Sequence, residues 1–301
     1  MKRKNPAFQT ALLAFVAVIG FTNISGASLI AYEGFNYTAG LLPAPNAAGA
    51  ASSPLNGGTG WAAGGWFQNS GGAASVQTNI FSSGLSYSDL SVVGNAFHVG
   101  GNVNVGVSGN ANVFRTLASP VTLTGNDIWL SFIGVDHQGG NRVFGLSLYS
   151  GTATEDMGIG HTTTGAGPAH ANDWGLTTAG SDASYQDGGT PITTQSFLLV
   201  EINAGTVSLW VNPNIDAGQG SLGTANASIS LAATSFDTIR LFGGNNTTGN
   251  GYGEGLFDEI RLGTTFADVT PVAAPEPAGA ALFGVGLAVL ALISIRRKLN
   301  A

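Results

Sequence analysis

The chain has 301 residues, no cysteine and a formal net charge of −7 at pH 7. The absence of cysteine excludes disulfides, thiol catalysis and iron–sulfur ligation, so stability has to come from an apolar core. Residues 28–274 contain no lysine and only four arginines against sixteen acids, which puts the net charge of this part near −12. Such a surface gains nothing from counterion release and is repelled by anionic lipid, so nucleic acid is excluded as a partner.

The first 27 residues have the layout of a secretory signal peptide. Three basic residues at positions 2–4 precede an apolar run over residues 11–21, and small residues follow at positions 25–27. This pattern predicts export, with cleavage after Ala27. An uncleaved N-terminal anchor is the alternative interpretation.

The exported part is rich in Gly, Ser, Thr, Asn and Ala, a composition typical of short strands joined by many turns. Residues 39–72 are rich in Gly, Ala and Pro, which predicts long loops around one or two weak strands. Residues 128–135 are almost continuously apolar, which predicts a central strand that is covered on both faces. The following residues 136–141 are predicted to form a hairpin loop that leads into a strand over residues 143–149.

The clearest predicted hairpin joins residues 197–202 to residues 206–211 through Asn203, Ala204 and Gly205. Gly205 can adopt the positive φ that a tight turn demands, and Val207, Leu209 and Val211 are expected on one face. Further strands are predicted at residues 236–242 and 256–262. No segment before the C-terminal tail has sustained helical periodicity, so the sequence predicts an all-β, two-sheet antiparallel sandwich over residues 28–270.

The C-terminal segment, residues 271–301, contains three features in a fixed order. The tripeptide Pro275-Glu276-Pro277 precedes an uncharged apolar run over residues 278–295, and the basic cluster Arg296, Arg297 and Lys298 follows it. The apolar run is long enough to span a bilayer as a helix, and the basic cluster would remain in the cytoplasm, so the body of the protein is expected outside the inner membrane.

These three features resemble the PEP-CTERM sorting signal. The resemblance implies that an exosortase-like enzyme recognises Pro275-Glu276-Pro277. It also implies that the C-terminal helix anchors the chain in the inner membrane transiently, before the protein reaches the cell surface or extracellular matrix. A permanent tail anchor behind a proline-rich linker is the alternative.

A second resemblance covers nearly the whole exported part. It rests on short motifs at residues 31–37, 57–61, 129–132, 209–213 and 257–269. Taken in order, they are similar to concanavalin A-like (laminin-G-like) jelly-roll domains. The resemblance implies a jelly-roll sandwich, a fold that hosts lectins, glycanases and structural modules alike.

The first function hypothesis is an exported, non-catalytic cell-envelope or exopolysaccharide-matrix protein that contacts glycans. The alternative is a secreted glycan hydrolase or lyase. Asp258 and Glu259 are the most tempting catalytic pair, but adjacent strand residues point to opposite faces, and the spaced acids of glycanases on this fold are missing. We therefore expect Glu259 to pair with Arg261 and Asp258 to cap a loop or pack at the sheet margin, and we predict no catalytic residue.

Two tryptophans in a glycine-rich stretch, Trp61 and Trp66, are candidates for stacking on sugar rings, although anchoring in the core is the competing interpretation. Trp129 and Trp210 lie within predicted strands and are expected in the core. The four histidines lack zinc-binding spacing, but His161 and His170 could form a two-histidine site with Asp173. A structural calcium ion is a further possible cofactor, since oxygen ligands are abundant in predicted loops: Asp136, Asn141, Asp173, Asp182, Asp187, Asn245 and Asn246.

Overall fold

The computed structural model describes residues 28–41, 55–68, 79–100, 111–137, 143–161, 172–178, 184–244 and 253–272. The predicted signal peptide, including Ala27, lies outside these residues. So does the chain from residue 273 onward, with Pro275, Glu276, Pro277, the apolar run 278–295 and the basic cluster 296–298. Across the described segments, no helix has the length and apolar character that crossing a bilayer requires.

Sixteen strands, one short α-helix and a 3₁₀ helix at Gln219–Ser221 make up the regular structure of the described residues. In chain order the strands and the α-helix are β1 (Leu29–Glu33), β2 (Gly40–Leu41), β3 (Phe67–Gln68), β4 (Asn79–Phe81), β5 (Ala96–Gly100), β6 (Ala111–Thr122), β7 (Ile128–Asp136), β8 (Val143–Ser150), β9 (Thr154–His161), β10 (Asp173–Thr178), β11 (Gln186–Pro191), β12 (Ser196–Asn203), β13 (Thr206–Val211), β14 (Ala227–Ser230), β15 (Ser235–Gly244), β16 (Glu254–Gly263) and α1 (Phe266–Val269). The short strands β2 and β3 match the weak strands predicted within residues 39–72.

The strands form two antiparallel sheets, so the predicted two-sheet β-sandwich is confirmed. The nine-stranded sheet has the order β14-β13-β12-β7-β16-β5-β4-β2, with β1 also paired to β16. The seven-stranded sheet has the order β11-β10-β9-β8-β15-β6-β3. Strand β16 shares one edge between two partners: residues 254–257 pair with β5, and residues 260–263 pair with β1.

The core has two parts, and side-chain alternation along β7 and β12 explains both. Leu130 and Phe132 belong to the large cluster between the sheets, whereas Trp129 and Ile133 belong to a second cluster on the outer face of the nine-stranded sheet. The helix α1 contributes Val269 to that second cluster. Strand β7 is therefore covered on both faces, as its continuous apolar sequence predicts.

The predicted hairpin at residues 197–211 is confirmed as β12 and β13. Asn203 pairs with Thr206, which leaves Ala204 and Gly205 as a two-residue turn. Their φ angles are 47° and 81°, the left-handed conformations that a type I′ turn requires. Val207, Leu209 and Val211 all face the core between the sheets, as expected.

The predicted hairpin between residues 128–135 and 143–149 is wrong. Strand β7 belongs to the nine-stranded sheet and β8 to the seven-stranded sheet, so the intervening residues connect the two layers. Strand β8 pairs with β9 on one edge and with β15 on the other, and β15 lies nearly a hundred residues later in the chain. Turn residues between two apolar runs indicate a reversal of direction, but they do not specify which sheet the second strand joins.

Candidate functional site

The acid pair Asp258–Glu259 lies at a β-bulge where β16 changes partners. The register of β16 against β7 slips by one residue between Asp258 and Arg261, and Glu259 has a φ of 53°. Phe257 and Ile260, on either side, both face the core between the sheets. Both acids therefore point to the outer face of the nine-stranded sheet, because a bulge places two consecutive residues opposite one. The expectation that adjacent acids point to opposite faces is wrong for this reason.

Both carboxylates are buried and occupied by hydrogen bonds within the protein. Asp258 accepts a hydrogen bond from the backbone N–H of Leu85 at 2.7 Å and another from that of Glu259 at 2.8 Å. Glu259 accepts from the backbone N–H of Val93 at 2.6 Å and binds Arg261 at 2.6 Å. The expected Glu259–Arg261 pair and the loop-capping role of Asp258 are thus confirmed. Burial raises the pKa of Asp258 to about 8, against an ordinary value of 3.8.

Residues 84–93, which we call the clasp, are the segment that covers these acids. Besides the bonds from Leu85 and Val93, the carbonyl of Ser91 accepts a hydrogen bond from Arg261 at 2.9 Å. The clasp is also fixed to its surroundings by the Tyr87 hydroxyl, which donates to the carbonyl of Pro213 at 2.6 Å. The acid pair therefore holds the clasp against the sheet, and its carboxyl groups are not accessible to a substrate.

A second buried ion pair, Glu33–Arg115, lies between the sheets. The Glu33 carboxylate binds the Arg115 guanidinium and accepts hydrogen bonds from the Tyr37 hydroxyl at 2.8 Å and the Trp66 indole N–H at 3.2 Å. Burial raises the pKa of Glu33, and Arg115 and these donors oppose the shift. Arg115 also donates to the carbonyl of Gly57 at 2.6 Å, which fixes the glycine-rich stretch at residues 55–66.

This cluster corrects the suggestion that Trp66 contacts glycans. Trp66 is fully buried, and its ring stacks on Phe35 and Phe97 in the core, so no sugar can reach it. Trp61 is half-buried; its indole N–H donates to the carbonyl of Tyr32, and Arg115 lies 4.9 Å from its ring centre. The alternative interpretation, that these rings anchor the glycine-rich stretch, is the one that fits the structure. Trp129 and Trp210 lie in the core, as expected.

The outer face of the seven-stranded sheet carries a third cluster, which we call the Arg240 site. Arg240 binds Glu155 at 2.8 Å and donates to the Ser147 hydroxyl at 2.9 Å. Its guanidinium lies 4.4 Å from the ring centre of Phe242 and 4.9 Å from that of Tyr149. Burial raises the pKa of Tyr149 to about 12, so this hydroxyl keeps its proton at neutral pH.

Exposure distinguishes the Arg240 site from the other ion pairs of the described residues. The side chains of Arg240 and Glu155 are 16% and 17% exposed, whereas Glu33 and Arg115 are almost completely buried, and so is Glu259. Among the described residues, Arg240 and Glu155 therefore form the ion pair that a ligand can approach most easily, while Ser147, Tyr149 and Phe242 beneath them are buried. No local sequence pattern places these residues together, because Arg240 and Glu155 lie 85 positions apart.

The structure brings some of the predicted metal ligands together but not all. Asp173 and Asp187 lie on neighbouring strands β10 and β11, and burial together with the charge of Asp187 raises the pKa of Asp173. His161 is buried at the end of β9, while His170 lies outside the described residues. Within the described ranges, no three His, Asp or Glu side chains are grouped so that they could hold a metal ion. Several proposed calcium ligands fall outside those ranges, namely Asn141, Asp182, Asn245 and Asn246, so calcium binding stays a prediction.

Comparison with known proteins gives structural likenesses only. No family model matches the chain, and no curated protein matches it. The structure is similar to the endo-β-1,4-glucuronan lyase of the fungus Trichoderma reesei, with 14% identity, a TM-score of 0.42, and coverage of 72% of this chain and 96% of that one. It is similar to domain 4 of an extracellular arabinanase from Geobacillus stearothermophilus in complex with arabinotriose, with 14% identity, a TM-score of 0.43, and coverage of 82% and 99%. It is also similar to the cellulose-induced protein Cip1, with 14% identity, a TM-score of 0.39, and coverage of 66% of this chain and 88% of that one.

Proposed function

We propose that this chain is an exported, non-catalytic protein of the cell envelope or exopolysaccharide matrix, sorted by an exosortase-like enzyme, whose sandwich contacts glycans through the Arg240 site. The non-catalytic part of the proposal rests on the burial and the hydrogen bonds of Asp258 and Glu259. Both are buried, and both are engaged in bonds that hold the clasp. A hydrolase needs two carboxyl groups that flank a glycosidic bond, and this pair has no access to one.

The two chain ends support the sorting part of the proposal. A basic and apolar leader precedes Ser28, and Pro275-Glu276-Pro277, an apolar run and a basic cluster follow the sandwich in the order of a PEP-CTERM signal. At the finer level of fold, we propose a concanavalin A-like jelly roll. The antiparallel pairing of both sheets supports this, since every strand pair of the described residues is antiparallel.

The chemistry of the Arg240 site supports contact with neutral glycans. A guanidinium and a carboxylate side by side offer donors and acceptors to vicinal hydroxyls. The flanking rings of Tyr149 and Phe242 are buried, and they support the Arg240 guanidinium from below. The net charge near −12 of the exported part opposes polyanionic chains. The ligand class that fits best is therefore an uncharged polysaccharide.

A secreted glycan hydrolase or lyase remains the second candidate, and one observation favours it. The buried Tyr149 lies beside the partly exposed Glu155 and Arg240, so a proton donor, a carboxylate and a cation are grouped at one place. Its protonated state at neutral pH suits a general acid rather than a base. A lyase that acts on a uronic acid has to neutralise the carboxylate of its substrate. Because Arg240 is paired with Glu155, little positive charge is left for that purpose, and we therefore place this function second.

Deletion of residues 275–301 should abolish retention at the cell surface, because it removes both the membrane anchor and the recognition motif. Replacing Pro275, Glu276 and Pro277 with alanine should instead leave the chain membrane-bound and unprocessed. Mass spectrometry of the mature wild-type protein should find that the basic tail is missing. Unchanged localisation of the deletion variant, or a mature protein that keeps residues 296–298, would reject the sorting proposal.

Arg240→Ala should weaken retention of the protein on neutral polysaccharides at least tenfold in affinity electrophoresis, about 1.4 kcal/mol or more. Glu201→Ala, which changes a partly exposed acid on the nine-stranded sheet, is the matched control and should bind like the wild type. Thermal unfolding of both variants separates lost binding from lost folding. If the wild type releases reducing ends or unsaturated products from any polysaccharide, and Tyr149→Phe does not, the enzymatic alternative holds.

A further inference from the structure

The last described residues of the chain are fixed to the clasp. Leu90 and Val272 form an isolated antiparallel β-bridge, and the backbone N–H of Ser91 donates to the carbonyl of Pro271 at 2.8 Å. The chain therefore leaves the sandwich at a defined place, the outer face of the nine-stranded sheet.

The clasp itself is held from beneath by three buried side chains of β16. Leu85, Ser91 and Val93 bond to Asp258, Arg261 and Glu259 respectively. The bonds to Arg261 and Glu259 involve an ion pair, and hydrogen bonds to charged groups are roughly twice as strong as those between neutral groups. The bond to the protonated Asp258 holds the other end of the segment. Since the clasp is fixed to the sheet, the point where the chain departs is fixed as well.

Only five residues separate this point from the predicted membrane span. Residues 273–277 precede the apolar run that starts at Ala278, and two of the five are prolines. A fully extended chain covers at most about 3.6 Å per residue, so the link is no longer than about 18 Å.

We propose that, while the C-terminal helix holds the chain in the membrane, the clasp faces the bilayer surface and the Arg240 site faces away from it. The two sheets of a sandwich are stacked about 10 Å apart, so the outer faces of the two sheets look in opposite directions. With a link of about 18 Å attached to the clasp, the sandwich cannot invert to present its seven-stranded sheet to the lipid. This inference rests on the membrane-held stage of the proposed function.

The charge on the clasp side defines the kind of contact. The Ser88 hydroxyl donates to the Asp216 carboxylate, and Asp89 is exposed beside it, so this surface is acidic at its edge. Acidic groups are repelled by anionic headgroups. The clasp is therefore held close to the bilayer by the link and does not adhere to the lipid by itself. This orientation also leaves Pro275-Glu276-Pro277 within reach of an enzyme embedded in the same membrane.

The absence of cysteine from the chain allows a direct test with single labels. The protein from Ser28 to Ala301, carrying a fluorophore at either Ser91→Cys in the clasp or Thr154→Cys on β9, is reconstituted in liposomes that contain an acceptor on their headgroups. Both positions are exposed. Energy transfer from position 91 should exceed that from position 154 at least about twofold, because the label on β9 belongs to the sheet that lies at least about 10 Å further away.

A matched control separates the orientation from any direct effect of the labels. Twenty Gly and Ser residues inserted between Val272 and Ala273 should make the two transfer efficiencies converge, since a flexible link of that length no longer restricts the sandwich. Equal transfer from the two positions without the insertion would overturn the proposed orientation. If the chain fails to float with the liposomes at all, the membrane-held stage itself is refuted, and the two failures are thereby distinguished.

Discussion

Glu33→Gln should lower the free energy of unfolding of the sandwich by about 3–5 kcal/mol. Glu33 and Arg115 are both nearly inaccessible to solvent, so the substitution leaves the Arg115 guanidinium buried without its counter-charge. It also weakens the bonds from Tyr37 and Trp66 that order the glycine-rich stretch. Urea unfolding followed by tryptophan fluorescence measures the change.

The matched control is Glu155→Gln, which removes the carboxylate from the more exposed pair with Arg240. That variant should lose less stability than Glu33→Gln, because the pair is more exposed to solvent and Arg240 keeps its contacts with two rings. Equal losses in the two variants would contradict the view that burial decides the energetic importance of these pairs. If Glu33→Gln altered the structure of the glycine-rich stretch but not the free energy of unfolding, Glu33 would stabilise only that loop.

The stability of the protein should fall as the pH rises from about 5 to 8, with Asp258 contributing up to about 1.4 kcal/mol per pH unit. In the unfolded chain this acid ionises near 3.8, whereas in the folded protein it keeps its proton until the pH approaches about 8. Between these values the folded state binds the extra proton, so raising the pH favours unfolding. Above about pH 8 the loss from this group is complete.

Asp258→Asn removes the ionisable group and should flatten the dependence of unfolding free energy on pH across this range. Asp216→Asn, an exposed acid at the edge of the clasp, serves as the control and should keep the wild-type slope. Carbon-detected NMR of the wild-type protein gives an independent measurement, since the Asp258 carboxyl signal should titrate near pH 8. A signal that titrates near 4, or an unchanged slope in Asp258→Asn, would refute the proposed state of this acid.

Much of the sandwich could be predicted because local pattern determines strands. The continuous apolar run at β7 and the Ala204-Gly205 turn both carry their structural reason within a few residues. The partner of a strand does not follow from the same information. The residues after Asp136 look like a hairpin loop, yet they connect the two sheets, because strand pairing depends on segments far away in the chain.

The clusters of charge were harder to foresee for the same reason. Glu33 and Arg115 are 82 positions apart, and the bulge at Glu259 depends on the change of partner along β16. One signal in the sequence does point to these clusters. The body of the protein contains no lysine and only four arginines, and the three that are described, Arg115, Arg240 and Arg261, each bind a glutamate. In so cation-poor a chain, each arginine marks a candidate site.

The pairing of β1 with β16 has a consequence for how the chain is made. Leu29 lies opposite Gly263, so the first strand of the sandwich joins the last, and β16 also joins β5 and β7. A growing chain therefore exposes unpaired edges on three strands until its final strand has emerged, and such long-range closure is intrinsically slow. Any nascent product that stops before residue 254 lacks its central strand altogether and should be cleared by proteases instead of persisting as a partly folded fragment.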